Sequence, residues 1–155
     1  MKIPDATLND AAAACEVLRR SIIELCDADH HGDHAILERW LSNKTPAIVG
    51  SGMEMPGNSV LLAVEKDNVL AVGSVTDAGE IQCNYVSPDA RFTGVSRALL
   101  QALEQRSRDR GSRRVYLVST ETARRFYLAA GYIEHGSPEG LFGMTSSYPM
   151  SKQLG

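Results

Sequence analysis

At Ser59 the apolar residues stop recurring every three or four positions and begin to alternate. That change of period limits the fold more than any other feature of the chain. Before it, Ala14, Val17, Leu18, Ile22 and Leu25 form one helical stripe. After it, "SVLLAVEK" and "VLAVGSVT" read as strands flanking a hairpin turn at Asp67-Asn68. "GEIQCNYVS" reads as a third strand, with Ile81, Cys83 and Tyr85 alternating against Glu80, Gln82, Asn84 and Val86. The helical period returns with Val95, Ala98, Leu99, Ala102 and Leu103, and Gly111 suits the position just past that helix. Then come a strand, "RRVYLVS", a helix, "TETARRFYLAA", closed by Gly131, a strand, "YIEHG", and a final strand within "MTSSYPMSKQL". Helices, a meander and then alternating strands and helices predict an α/β fold. Its central sheet is mixed and mainly antiparallel, with helices on both faces.

The N-terminal part is helical by its signals. Thr7-Leu8-Asn9-Asp10 looks like a helix start, with an acid three residues after the threonine. "CDADHHGDH" breaks the stripe, and Asp33 can cap a second short helix running through Trp40 and Leu41. "NKTPAIVGSGMEMPGN", with two prolines and three glycines, reads as loop with one helical turn. No repeat or linker divides the chain, so its 155 residues are expected to form one domain.

Composition narrows the class. With 43% hydrophobic and 23% charged residues the chain reads as globular and soluble rather than disordered. No apolar run approaches the roughly 20 residues that span a bilayer. The N-terminus, "MKIPDATLND", lacks the apolar core of a secretory signal. Three cysteines, Cys15, Cys26 and Cys83, suit neither a disulfide framework nor a CxxC knuckle and fit a reducing, cytoplasmic setting. The net charge of −3 disfavours nucleic acid as a partner, yet it hides an asymmetry. Residues 1–85 hold 6 Lys/Arg against 13 Asp/Glu, whereas residues 86–125 hold 9 Arg against 4 acids.

The basic block opens on "PDARFTGVSRALL", a glycine-bearing turn between the third strand and a helix. Such a turn aims unpaired first-turn N–H groups and the positive end of the helix dipole at one point, which suits a pyrophosphate. Gly94 lets backbone approach closely, Ser96 can donate a hydroxyl hydrogen bond, and Arg91 and Arg97 add charge at the rim. Neither the GK[ST] ending of a Walker A loop nor the GxGxxG of a Rossmann loop is here.

"VSPDARFTGVSRALL" resembles the acetyl-CoA loop of the GNAT superfamily of N-acetyltransferases, whose signature is [QR]-x-x-G-x-[GA]. "STETARRFYLAAGY" is similar to the family's next signature, and "YPMSKQL" to its last strand. The resemblance covers roughly residues 59–154. Ser96 stands where the family has Gly or Ala, and Thr120 where many members have Asn. The resemblance implies a cofactor site of Tyr85, Val86, Arg91, Phe92, Thr93, Gly94, Val95, Ser96, Arg97 and Thr120, taking acetyl-CoA as co-substrate, with the Val86 N–H polarising the thioester.

Acetyl transfer to an amine needs a neutral amine, a polarised thioester and a protonated leaving thiolate. By resemblance Tyr127 is the acid for the sulfur; its other reading is a core aromatic on a stripe with Ala123, Phe126 and Ala130. Glu80 matches a glutamate used as base by some members, or is a turn acid after Gly79. Asn84 and Tyr85 are candidates to orient a water or the substrate. In the Asp/His-rich loop, Asp27, Asp29, His30 and His31 either recognise the acceptor or are solvated. Adjacent histidines without a second ligand cluster argue against a metal.

Three functions follow from these residues. One is N-acetylation of a primary amine on a small molecule or protein, the amine being a cation drawn in by the acidic N-terminal half. Another is a catalytically inactive CoA-binding regulatory or interaction module, and the sequence is compatible with a homodimer. A nucleic-acid role for the arginines is weakest, because acids interrupt them and no aromatics interleave.

Overall fold

The computed structural model describes residues 1–138, 140 and 147–155. A 3₁₀ turn over Leu8–Asp10 opens helix α1, Ala11–Leu25. The Asp10 carboxylate accepts the Thr7 N–H at 2.8 Å, as the threonine-acid spacing predicts. Two short helices follow, α2 (Asp27–His30) and α3 (His34–Leu41), the second capped by Asp33 accepting the N–H groups of Ala35 and Ile36. The stretch expected to be loop instead contains a nine-residue helix, α4 (Pro46–Glu54). Thr45 caps it and Pro46 takes the first position, a start signal that outweighs its glycines. Gly50 has a packing reason: a Cβ there would lie 3.3 Å from the Leu8 side chain and 3.5 Å from Ala11.

Strands β1 (Asn58–Glu65), β2 (Asn68–Thr76) and β3 (Ile81–Val86) form the antiparallel meander. Glu65 pairs with Asn68, so the tight turn is Lys66-Asp67, one residue earlier than expected, with Lys66 at φ +56°. Residues near the N-terminus add an edge to this sheet through bridges Lys2–Val64 and Asp5–Leu61, which the helix-dominated pattern there conceals. After a 3₁₀ turn at Pro88–Ala90 come α5 (Val95–Asp109), β4 (Arg114–Ser119), α6 (Arg124–Ala129), β5 (Ile133–Glu134) and β6 (Tyr148–Gln153). The second sheet has the antiparallel order β4-β6-β5. Helix α6 is shorter than "TETARRFYLAA", and β5 keeps two residues of "YIEHG". Residues 144–146, expected to open the final strand, lie outside the described residues.

The two faces of the meander are covered separately. Leu62 and Val72 pack with Ala14, Val17 and Leu18 of α1, while their neighbours Leu61 and Ala71 pack with Leu99 and Leu103 of α5. Alternation of side chains across a strand accounts for this division. Gly73 lets α5 close onto β2, since a Cβ there would meet Leu103 at 2.8 Å.

The sheets meet at one point. A single parallel bridge joins Glu80 to Tyr116, where the Tyr116 N–H donates to the Gly79 carbonyl at 3.0 Å. Gly79 sits at φ +95°, and a Cβ on it would come within 2.3 Å of the Arg114 carbonyl oxygen. Among the described residues no further bridge links β3 to β4. Beyond this apex residues of both strands, Ile81 to Tyr85 and Leu117 to Ser119, line a gap between them.

Candidate active site

The site is built around that gap. A cavity of about 480 Å³ is lined from one face by Ser21 and Leu25 of α1 and Cys26 just after it, and from the other by Gly94, Ser96 and Arg97 at the start of α5. Because α1 and α5 cover opposite faces of the meander, this cavity passes through the sheet at its split. Asn84, Tyr85 and Val86 at the open end of β3 line it, with Thr120 and Thr122 after β4 and Ala123, Phe126 and Tyr127 on the α6 side.

The loop from β3 to α5 is held by its own side chains. The Ser87 hydroxyl accepts the Asp89 N–H at 3.2 Å, and the Thr93 hydroxyl donates to the Ala90 carbonyl. Arg20 of α1 grips the Asp89 carboxylate at 2.9 and 3.3 Å. Phe92 takes a left-handed φ of +64° and stays 90% exposed, with the Arg91 guanidinium 4.5 Å from its ring centroid. Gly94, the residue before α5, has φ +84°, and a Cβ built on it meets nothing within 4 Å. No side chain caps α5, so its first N–H groups are free to take an anion, and the room for one lies at Gly94. Arg91 and Arg97 are the charged side chains of the described lining. Of the other arginines, Arg106 pairs with Asp5 and Arg124 with Glu134.

At the crossing point the Asn84 side-chain amide donates to the Tyr127 hydroxyl oxygen at 3.1 Å. The Tyr127 ring is buried between Phe126 and Tyr132, with edge contacts at 5.2 and 5.3 Å. Burial pushes its phenol up to about 12, and the Asn84 hydrogen bond works in the opposite direction. Tyr127 thus packs in the core, as one of its readings has it, and it also lines the cavity beside Asn84. Ser87 N–H donates to Leu70 O at 2.7 Å, and Ala71 faces Val86 in register. Alternation along an antiparallel ladder then turns the Val86 N–H away from β2, into the gap. The Tyr85 ring packs against Ile22, Cys26 and Trp40, and burial raises its phenol well above the ordinary range. The Thr120 hydroxyl accepts the Ala123 N–H at 3.1 Å at the approach to α6.

Other sequence candidates lie elsewhere. Glu80 stands at the closed apex, its N–H on the Thr76 hydroxyl at 3.1 Å, and it lines no part of the cavity. The Asp/His segment is a helical turn rather than an open loop, and it divides. Asp27 and His31 face solvent, whereas Asp29 and His30 are each only 2% exposed. Asp29 accepts the N–H groups of Glu121 and Thr122 at 2.7 and 3.1 Å and the Thr122 hydroxyl. His30 Nε2 lies 3.0 Å from Ile22 O and 3.2 Å from Ile23 O, while Nδ1 accepts the Gly32 N–H, so the ring caps the end of α1. Their polar atoms are committed to the protein, which corrects the expectation that Asp29 and His30 meet the acceptor. Among the described residues no three His, Cys, Asp or Glu side chains group as for a metal, and no helix is long and apolar enough to cross a membrane.

Comparison with known proteins decides the family. The family model for the acetyltransferase (GNAT) domain matches residues 27–154. The chain belongs to the GNAT acetyltransferase family. Its fold is shared with a GCN5-related N-acetyltransferase from Rhodopseudomonas palustris, at a TM-score of 0.87, 22% identity, and coverage of 99% of this chain and 95% of that one. The PaiA N-acetyltransferase from Thermoplasma acidophilum, solved with coenzyme A, aligns at a TM-score of 0.81 and 15% identity over 99% of both chains. An aminoglycoside 6′-N-acetyltransferase complexed with coenzyme A aligns at 0.75 and 17% identity, over 99% of this chain and 97% of that one. A sequence comparison with curated proteins finds no match. For this GNAT chain the mixed, mainly antiparallel sheet with helices on both faces is as the sequence predicts. The α1 lining was missed in the sequence: Leu25 sits on the apolar stripe and Cys26 reads as an inert buried thiol, so neither carries a local signal.

Proposed function

We propose that the chain acts as one domain over residues 1–155 and transfers the acetyl group of acetyl-CoA to a primary amine by direct attack. The observation that carries this reading is the cavity through the split sheet, with the Asn84–Tyr127 pair inside it and the open N-terminus of α5 at one end. The space at Gly94 and the uncapped first turn fit a pyrophosphate, with Arg91, Ser96 and Arg97 around it, and Phe92, Thr93 and Val95 completing the loop. Bound there, acetyl-CoA supplies the activated acyl group. The Val86 N–H is the donor for the thioester oxygen, and Thr120 and Tyr85 border the arm that carries it.

Tyr127 serves as acid for the leaving sulfur. Because Asn84 donates to the phenol oxygen, the phenolic proton is left to point elsewhere, toward the leaving group. Asn84 also stabilises the phenolate that forms when the proton is given up. Neither a carboxylate nor a histidine is among the described lining residues, so the acceptor amine loses its proton to water. Solved relatives that acetylate aminoglycosides support a small-molecule amine as acceptor.

The test pairs thiol release from acetyl-CoA over a panel of amines with calorimetry of CoA binding. Amine-dependent release is expected. Gly94→Asp, which places a negative charge at the pyrophosphate position, should abolish CoA binding in folded protein. Unchanged affinity in that variant refutes the site.

A further inference from the structure

The acceptor end of the cavity has a definite chemistry. Its α1 side is made by Ser21, Leu25 and Cys26, and Tyr85 closes it from the sheet. Leu25 and the Tyr85 ring are apolar surfaces. The Cys26 thiol stays neutral, since burial pushes it up to about 12. Ser21 is buried and is the hydroxyl-bearing residue of this α1 lining. The acids of the neighbouring segment do not enter: Asp29 is spent on the loop before α6, and Asp27 has its side chain 82% exposed. Among the described lining residues the charged side chains are Arg91 and Arg97, at the pyrophosphate end, and as cations they offer an ammonium no partner. A second ammonium on the acceptor would be desolvated with no carboxylate among the described lining residues to pair with, which is costly.

Resting on the N-acetyltransferase reading, we propose that the acceptor is a primary amine on an uncharged apolar body, aryl or alkyl, with Ser21 offering it one hydrogen bond. The reactive amine enters the cavity neutral, after losing its proton in water. Polyamines and aminoglycosides, whose remaining ammonium groups stay charged, are disfavoured by the same wall.

Initial rates with saturating acetyl-CoA compare phenethylamine and hexylamine with spermidine and kanamycin at one mildly alkaline pH. The apolar amines are expected to show kcat/KM at least about tenfold above the polycations, the discrimination that an apolar pocket supplies. Leu25→Asp should reverse that order, and Ser21→Ala should raise the acceptor KM several-fold without moving the KM for acetyl-CoA. Equal or faster turnover of spermidine or kanamycin overturns the inference. Melting temperatures of CoA-saturated protein are read in parallel for both variants and all four amines. Stabilisation by the apolar amines alone supports the inference even where turnover is slow, and its absence overturns it. A protein that binds no CoA overturns instead the reading on which the inference rests.

Discussion

Replacing Asp29 separates a structural from a substrate-binding role. Its carboxylate is 2% exposed and accepts two backbone N–H groups and a hydroxyl from the loop that leads into α6. Hydrogen bonds to a charged group contribute about 1.5–3 kcal/mol each, but three that share one carboxylate do not add in full. Asp29→Ala leaves the Glu121 and Thr122 N–H groups without their acceptor, and about 3–4 kcal/mol of destabilisation is expected. For a domain of this size that corresponds to roughly 6–16 °C in Tm. Urea titration followed by circular dichroism reads the loss. Because the same loop sets the start of the helix carrying Tyr127, kcat should fall alongside stability. A variant as stable as its parent, with only the acceptor KM raised, would refute this reasoning and return Asp29 to the substrate.

Tyr127→Phe removes a hydroxyl from a packed ring, so calorimetry should show unchanged CoA affinity while kcat drops by about 10². The pH profile supplies a second check. A phenol held up near 12 keeps its proton throughout the working range, so kcat/KM should rise with pH along the titration of the acceptor amine and show no alkaline fall below about 10. Changing to an acceptor of different basicity should move the midpoint by the same amount. Gly79→Ala combines a positive φ, worth about 1–2 kcal/mol, with a Cβ 2.3 Å from a carbonyl oxygen. It should lose about 3 kcal/mol or more in urea titration, since the overlap adds to the backbone cost.

The fold was legible in the sequence wherever one side chain in two or in three or four had to be apolar. The meander, α1 and α5 carry that period because each buries one face. The N-terminal edge strand was not legible, since it is attached by only two bridges and buries too few residues to impose alternation. Helix α4 was obscured by Gly50 and Gly52, and the reason for Gly50, contact with Leu8 and Ala11, exists only once α1 is in place. In the site, the turn at Gly94 shows in sequence because it is made by consecutive residues. The cap that His30 provides and the brace that Asp29 provides do not show, because their partners lie on other elements. Acids and histidines in a row look like ligands for something outside the protein until their partners inside it are seen.

The single bridge at Glu80 and Tyr116 also sets how this molecule can change over evolutionary time. Beyond the apex no backbone ladder joins β3 to β4 among the described residues, and Asn84 of β3 meets Tyr127 of α6 through side chains alone. A substitution that swells or shrinks one of those side chains resizes the passage at the cost of packing alone. On the proposed function, the seam between the half-sheets is therefore the line along which new acyl donors and new acceptors would be admitted by single residue changes, while the ladders within each half-sheet stay intact.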